Sequence, residues 1–566
     1  MGACSQEPPP EVATSDQPPA QIFTNARVYT VDAENSWQQA FAISDGVIVA
    51  IGDNEEISAL AGPQTTITDL SGRMVMPGIQ DMHLHPMDGG IKGRFECVFG
   101  ADANTLEIIS VVSACVEAAA DDDSWIQGGQ WNTNILDQEV VPTRQLLDAI
   151  SKDHPIFLMD WSVHNAWVNT RALEVLGITR LTPDPTGGEI VRDASGEATG
   201  ILLDNAAYNA RAQIPDYTGS QRQEALRYSM AQMIGFGVTS FRDAIATKTN
   251  QQAYRGLDMA GGIPGRAQLS NPWKSAWSGS HDEEIASIAN HADNATPRID
   301  TRFAKIMLDG VPLTYTSAVL EPYEPSEQYG DAHLGDLMIE AEQLAEDVAY
   351  LDAQGMTIKI HATGDRAVRV ALDAIAHART VNGDSGIQHE ISHAEMIHPD
   401  DIPRFAKLNT AAEMCPILWY PGPAVDTMRM TLGERAEQFW PVKSLLDAGA
   451  EVIYGSDWPA VVPDTNPWPG IEAMVTRADP YNNTAETLWK EQAIDLATAI
   501  RIFTINGAKT GKHADTTGSL EAGKQADFIV LDRNIFEVPI EEVSDVQVLH
   551  TYVAGEEVYR ADAKAY

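Results

Sequence analysis

The chain has 566 residues, and 81 acidic against 38 basic side chains give it a formal charge of −43. Hydrophobic residues make up 44% and charged residues 21%, an ordinary globular composition that excludes a disordered or fibrous protein. So acidic a surface repels nucleic acid and anionic lipid, and no run of about 18 apolar residues is present to span a membrane. Even an α/β barrel needs only about 250 residues, so the length calls for several domains or one large fold with insertions.

Residues 1–20 are rich in Pro, Ser and acidic residues without hydrophobic periodicity, which predicts a disordered leader. The order Gly2-Ala3-Cys4-Ser5 before a Pro-rich spacer resembles the end of a bacterial lipoprotein signal. On that reading Cys4 carries a lipid anchor, residues 6–20 are its tether, and the protein is periplasmic or membrane-anchored. The other reading is a chance free cysteine on a cytoplasmic protein. Of the remaining cysteines, Cys97 and Cys115 can pair and Cys415 stands alone. Four cysteines in so long a chain form no disulfide framework, and none has zinc-finger spacing.

From Gln21 the pattern turns to short strands: IFTNARVYTVD, then AFAISDGVIVAIGD around an Asp45-Gly46 turn, then TTITDLSG. Residues 518–560 repeat this character, so one small β domain built from both chain ends is expected. The middle alternates apolar strands with helical stretches, the rhythm of a parallel sheet or barrel. Strands are predicted at 74–83, 237–243, 266–270, 302–308, 357–361, 390–394, 409–415 and 451–456, the number a barrel requires. The stretch 96–219, with its own strand-like IFLMDW at 156–161, reads as an insertion after the first barrel strand.

The first barrel strand ends in His83-x-His85, and in an extended chain residues i and i+2 face the same side. Both imidazoles therefore point into the strand's C-terminal mouth, where barrel active sites lie, and imidazole is a strong ligand for Zn²⁺. Alone the pair is a weak signal. It gains force because His361 in TIKIHATGD, His393 in EISHAEM and Asp457 in VIYGSDWP also fall at strand ends. Lys305 lies inside the apolar strand RFAKIMLDG, where an ammonium is costly unless paired or neutralised. Conversion to a carbamate would make it an anionic bridge between two cations; the plainer alternative is a lysine whose head reaches water. Lys359, which shares His361's face, competes for that role.

These motifs, with TNARVYTVD, AISDGVIVAIGD, HNAWVNTRAL, TGGEIV, GVTSFRDA and GSLEAGKQADFIVLD, make the chain similar to the amidohydrolase superfamily along nearly its whole length. The branch it resembles is that of the N-substituted formamide deformylases, amidohydrolase family 3. The resemblance implies an α/β fold: a (β/α)₈ TIM-like barrel of metal-dependent hydrolase type flanked by a β-sandwich from both chain ends. The sandwich is expected at 21–72 and 511–566, the barrel at 73–95 and 220–510, and the 96–219 insertion over the barrel mouth. It further implies that His83, His85 and Asp457 hold one divalent metal, most readily Zn²⁺. His361 and His393 would hold a second, with carboxylated Lys305 bridging. Asp457 would be the general base and acid, and His164 a carbonyl or oxyanion partner.

Trp131, Trp161, Trp419, Tyr420 and Trp458 are candidates to line an aromatic substrate pocket, although large aromatics fill cores more often. Asp365 and Arg366 read as a loop ion pair behind the second metal, and His389 and His398 as structural. The expected function is hydrolysis of a non-peptide C–N bond in a small amide, formamide or cyclic amide. Ester, lactone or carbamate hydrolysis is the alternative on the same site, and an inactive surface-anchored binding protein the remote one. A homo-oligomer is compatible with the sequence.

Overall fold

The apolar run predicted as one strand over 74–83 divides at Pro77-Gly78 in the computed structural model. The structure describes residues 18–561 apart from 101–102, 120–123, 133–134, 136–139, 161–164, 276–277, 417–419, 461 and 482. Met74–Pro77 pairs with Arg27–Tyr29 and Phe528–Leu531, whereas Ile79–Leu84 pairs with Val238–Asp243. Proline can donate no ladder hydrogen bond, which suits a change of sheet. Gly78 lets the chain pass closely, since a Cβ there would lie 2.2 Å from Thr239 Oγ1. The single strand expected from the apolar run is therefore two strands in two sheets.

The first of those sheets has six strands, drawn from residues 27–77 and 528–560; a four-stranded sheet lies beside it in the sequence, from Gln21 to Asp69. They share one apolar core. Phe23 and Phe41 stack at 5.0 Å, Phe23 meets the edge of Phe528 at 5.2 Å, and Phe528 stacks on Tyr552 at 4.4 Å. Aromatic pairs of this geometry add to the burial of their rings, and the Phe23–Phe528 pair joins the two ends of the fold's sequence.

The barrel sheet has eight parallel strands in sequence order: Ile79–Leu84, Val238–Asp243, Arg266–Trp273, Ile299–Met307, Thr357–Ala362, His389–His393, Thr410–Met414 and Val452–Tyr454. Amphipathic helices follow most of them; Asp365–Asn382, for example, buries Val368, Ala371, Leu372 and Ile375 at helical spacing. The last strand meets the first through two hydrogen bonds, Asp457 N–H to His83 O at 2.7 Å and His85 N–H to Trp458 O at 2.8 Å. Register places Lys305 opposite Lys359 and Lys359 opposite Glu390, so neighbouring strands send charged side chains into the same layer of the barrel.

Contacts divide the chain into two units: residues up to Pro86 with those from Met230 onward, and Met87–Ser229. The second unit carries its own six-stranded sheet and the Cys97–Cys115 disulfide. Trp131, expected in a substrate pocket, is fully buried in that unit's core, with its indole N–H donating to Leu158 O at 2.8 Å. Its apolar neighbours Ile108, Leu147 and Trp167 explain the placement: the unit needs a large side chain to fill its centre. Among the described residues, no helix is long and apolar enough to cross a membrane.

Candidate metal centre

The strand ends bring the predicted imidazoles and carboxylate together. Asp457 Oδ1 lies 3.4 Å from His83 Nε2 and 3.2 Å from His85 Nε2, and the three donor atoms fall within 4.8 Å of one another. Donors about 2.1 Å from a tetrahedral centre are spaced roughly 3.4 Å apart, so both carboxylate–imidazole distances match those of ligands on one Zn²⁺-sized ion. The His393 ring is 4.8 Å from the His83 ring and 4.5 Å from that of His361.

Backbone conformation contributes to this aim. His393 and Asp457 adopt positive φ of 68° and 56°, and Ala394 one of 42°. Such conformations cost about 1–3 kcal/mol each in a non-glycine residue and persist where the surroundings enforce them. Gly455 is required for another reason: a Cβ there would meet His83 Cβ at 2.5 Å and Glu413 Oε1 at 2.7 Å. The small residue lets the last strand close over the first.

Burial favours the neutral form of His83, His361 and His393, the form that ligates metal. It drives His83 well below the ordinary histidine range, helped by Lys305 and Lys359. Burial and Lys305 likewise bring His361 down to about 3, and burial with the neighbouring histidines lowers His393. Burial, then Lys359, lowers Lys305 to about 8.

Lys305 and His361 are engaged elsewhere. The Lys305 ammonium donates to Ser392 Oγ at 3.0 Å, and His361 Nε2–H donates to Gly310 O at 3.0 Å. Lys359 faces the same interior, donating to Met82 O at 2.8 Å and pairing with Glu390 at 3.0 Å and Glu413 at 3.3 Å. Arg242, fully buried, pairs with the other side of Glu390 and lies 4.1 Å over the Phe303 ring.

Sequence reasoning missed Glu413. Its Oε2 accepts from His83 Nδ1, which leaves Nε2 free to face the metal position, and its fully buried carboxylate is also the partner of Lys359. The signal was present: AAEMCP places a carboxylate inside an apolar strand, the anomaly that singled out Lys305. Cys415 and Glu395 were also overlooked as neighbours of the site. Cys415 Sγ is 3.6 Å from His393 Nδ1, and Glu395 is 6% exposed with Oε2 lacking a hydrogen-bond partner. Burial, with Asp309 and Asp457 nearby, pushes Glu395 up to about 8.

Other expectations change. Asp365 and Arg366 do not pair. The Asp365 carboxylate accepts the backbone N–H of Leu320 and of Arg366 at 2.8 and 3.0 Å, while Arg366 donates to Leu334 O and Gly335 O. They pin the segment before the Ala341–Ala353 helix, because backbone groups there need partners that a strand would otherwise supply. Trp458 is 3% exposed and its carbonyl serves the barrel seam. Tyr420 is half-buried, 6.2 Å from the Tyr481 ring. His389 is buried and binds Asp352 at 3.0 Å, and His398 is partly exposed near Asp400. His164, Trp161, Trp419 and Cys4 lie outside the described residues.

Comparison with known proteins agrees with this architecture. The chain is 30% identical over 548 residues to N-substituted formamide deformylase of Arthrobacter pascens, covering 94% of this chain and 97% of that one. It is 29% identical over 561 residues to Protein LONG AFTER FAR-RED 3 of Arabidopsis thaliana, covering 96% and 93%. Among solved structures, an uncharacterized metal-dependent hydrolase from Pyrococcus horikoshii superposes with a TM-score of 0.72 at 24% identity, over 92% of this chain and 99% of that one. The model of the amidohydrolase family matches residues 66–559, and the chain belongs to that family.

Proposed function

We propose that the protein is a metal-dependent hydrolase that cleaves a non-peptide C–N bond in a small amide, formamide or cyclic amide. The observation that carries this reading is the convergence of His83, His85 and Asp457 at the ends of the first and last barrel strands. Those three side chains would hold the cation, with Zn²⁺ favoured by two imidazoles and a carboxylate. When bound, such a cation acidifies water toward neutral pH and polarises a carbonyl.

The chain's own residues supply the rest. Glu413, backed by Lys359, fixes the His83 ring and its tautomer. Asp457 turns Oδ1 toward the imidazoles, and its side chain keeps 17% exposure, so it has access to an entering molecule. Its carboxylate takes a proton from the attacking water and returns it to the leaving nitrogen. His164, by resemblance, assists the carbonyl oxygen. By resemblance alone, His361, His393 and carboxylated Lys305 would be ligands of a second cation; Gly310 and Ser392, the present partners of His361 and Lys305, lend that assignment no support. The Gly2-Ala3-Cys4 order favours a lipid anchor and a periplasmic site of action.

An ester or lactone carbonyl would answer to the same centre. The formamide reading is preferred because a relative bearing that activity in its name is 30% identical along nearly its full length. A panel of N-aryl formamides, anilides, aryl esters and lactones tests the choice. Turnover of the C–N substrates above the others is expected. Turnover confined to esters or lactones overturns the reading.

A further inference from the structure

The seventh barrel strand, Thr410–Met414, runs directly into Cys415, the free cysteine among the described residues and only 2% exposed. Its Sγ, a ring nitrogen of His393 and a carboxylate oxygen of Asp457 lie within 4.8 Å of one another. The Sγ to His393 Nδ1 distance is 3.6 Å. Bonds of about 2.3 Å to a thiolate sulfur and about 2.1 Å to an imidazole nitrogen, opened at the tetrahedral angle, put the two donors about 3.6 Å apart. The cysteine is therefore spaced from the histidine as two ligands of one zinc ion are.

The surroundings also call for a cation. The Cys415 thiol donates to Glu413 Oε1 at 3.5 Å and lies within reach of the Asp457 carboxylate. Glu395, more than nine-tenths buried, offers an oxygen with no hydrogen-bond partner. A buried carboxyl oxygen left without a partner costs free energy that a nearby cation would offset. The Lys305 ammonium, which interacts with Cys415 through its charge, already donates to Ser392.

We propose that His393, Cys415 and Asp457 hold a second divalent cation of the thiolate-accepting class, zinc foremost. Asp457 is then shared between two cations, and a thiolate, rather than a carboxylated Lys305, completes the second position. The inference rests on the reading of His83, His85 and Asp457 as the first position. Binding breaks the Cys415 S–H bond, forms a sulfur–metal bond and releases one proton to solvent, with no change of oxidation state. A soft ligand also discriminates: this position takes zinc or cobalt and rejects magnesium.

The test is electronic absorption of the full-length protein loaded with Co²⁺, in a Cys4→Ser background. With Cys97 and Cys115 joined, Cys415 is then the remaining thiol. Cobalt bound by sulfur shows an intense near-ultraviolet thiolate-to-metal charge-transfer band in addition to the visible ligand-field bands. The band is expected in the parent. It should vanish in both Cys415→Ser and Cys415→Ala, with one equivalent of cobalt fewer and the visible bands retained. Ligand-field bands without a charge-transfer band in the parent would overturn this proposal and leave the first metal position standing. Absence of any bound cobalt would overturn both. The parent spectrum decides the matter even if neither cysteine variant folds.

Discussion

Replacing Glu413 with Gln removes one negative charge from the centre of the barrel while preserving shape. In the parent, that carboxylate accepts from His83 Nδ1 and pairs with Lys359 at 3.3 Å. Loss of a carboxylate behind a ligating histidine typically weakens metal binding about 10–100-fold, which is about 1.4–2.7 kcal/mol. Stability should suffer less than the roughly 3–5 kcal/mol seen when a buried charge is orphaned, because Lys359 keeps Glu390 and Met82 O at 3.0 and 2.8 Å. Zinc affinity by chelator competition, alongside the urea midpoint of the metal-free protein, separates the two effects. Glu413→Asp, which restores the charge at shorter reach, should recover part of the affinity. Zinc affinity for the glutamine variant within about twofold of the parent would refute the positioning role argued from this geometry.

Asp457→Asn should lower turnover by roughly 10²–10⁴-fold, the range of general acid–base catalysis, and reduce metal content in the same preparation; turnover at the parental level would remove Asp457 from the mechanism. Trp131→Ala should cost about 3–5 kcal/mol in the unfolding of the Met87–Ser229 unit, whereas Trp131→Phe should leave KM unchanged; a raised KM with unaltered stability would return this residue to a substrate pocket. Burial lowers His513 from 6.5 to about 4, so the unfolded chain takes up the proton first as pH falls. The associated stability is complete above pH 6.5 and lost toward pH 4, by at most about 3 kcal/mol. The fall in urea midpoint between the two pH values should be smaller in His513→Gln than in the parent, with buried His83, His361 and His393 accounting for the remainder, and an identical fall in parent and variant would contradict this.

Much of the fold was legible because each barrel strand is a short apolar run and the histidines proposed to hold metal close several of them. The His83-x-His85 spacing survives as geometry, since alternate residues of a strand share a face. What stayed hidden depends on contacts between distant positions. Glu413 lies 330 residues from His83, and nothing local to AAEMCP says which ring it will meet. Trp131 looks the same in sequence whether it fills a core or lines a pocket; only the assembled neighbours Ile108, Leu147 and Trp167 decide. The apolar run over 74–83 conceals its division because both halves are buried, and apolar pattern alone carries no record of which sheet is joined. Asp365 and Arg366 are adjacent opposite charges, yet the unpaired backbone of a long loop claims both.

On the proposed function, the ends of the first and last barrel strands hold a catalytic cation. Anomalous diffraction at the zinc edge, from crystals of active protein, tests it most directly. A peak is expected about 2.1 Å from His83 Nε2, His85 Nε2 and the Asp457 carboxylate. Active protein with no anomalous peak among these three side chains would contradict it.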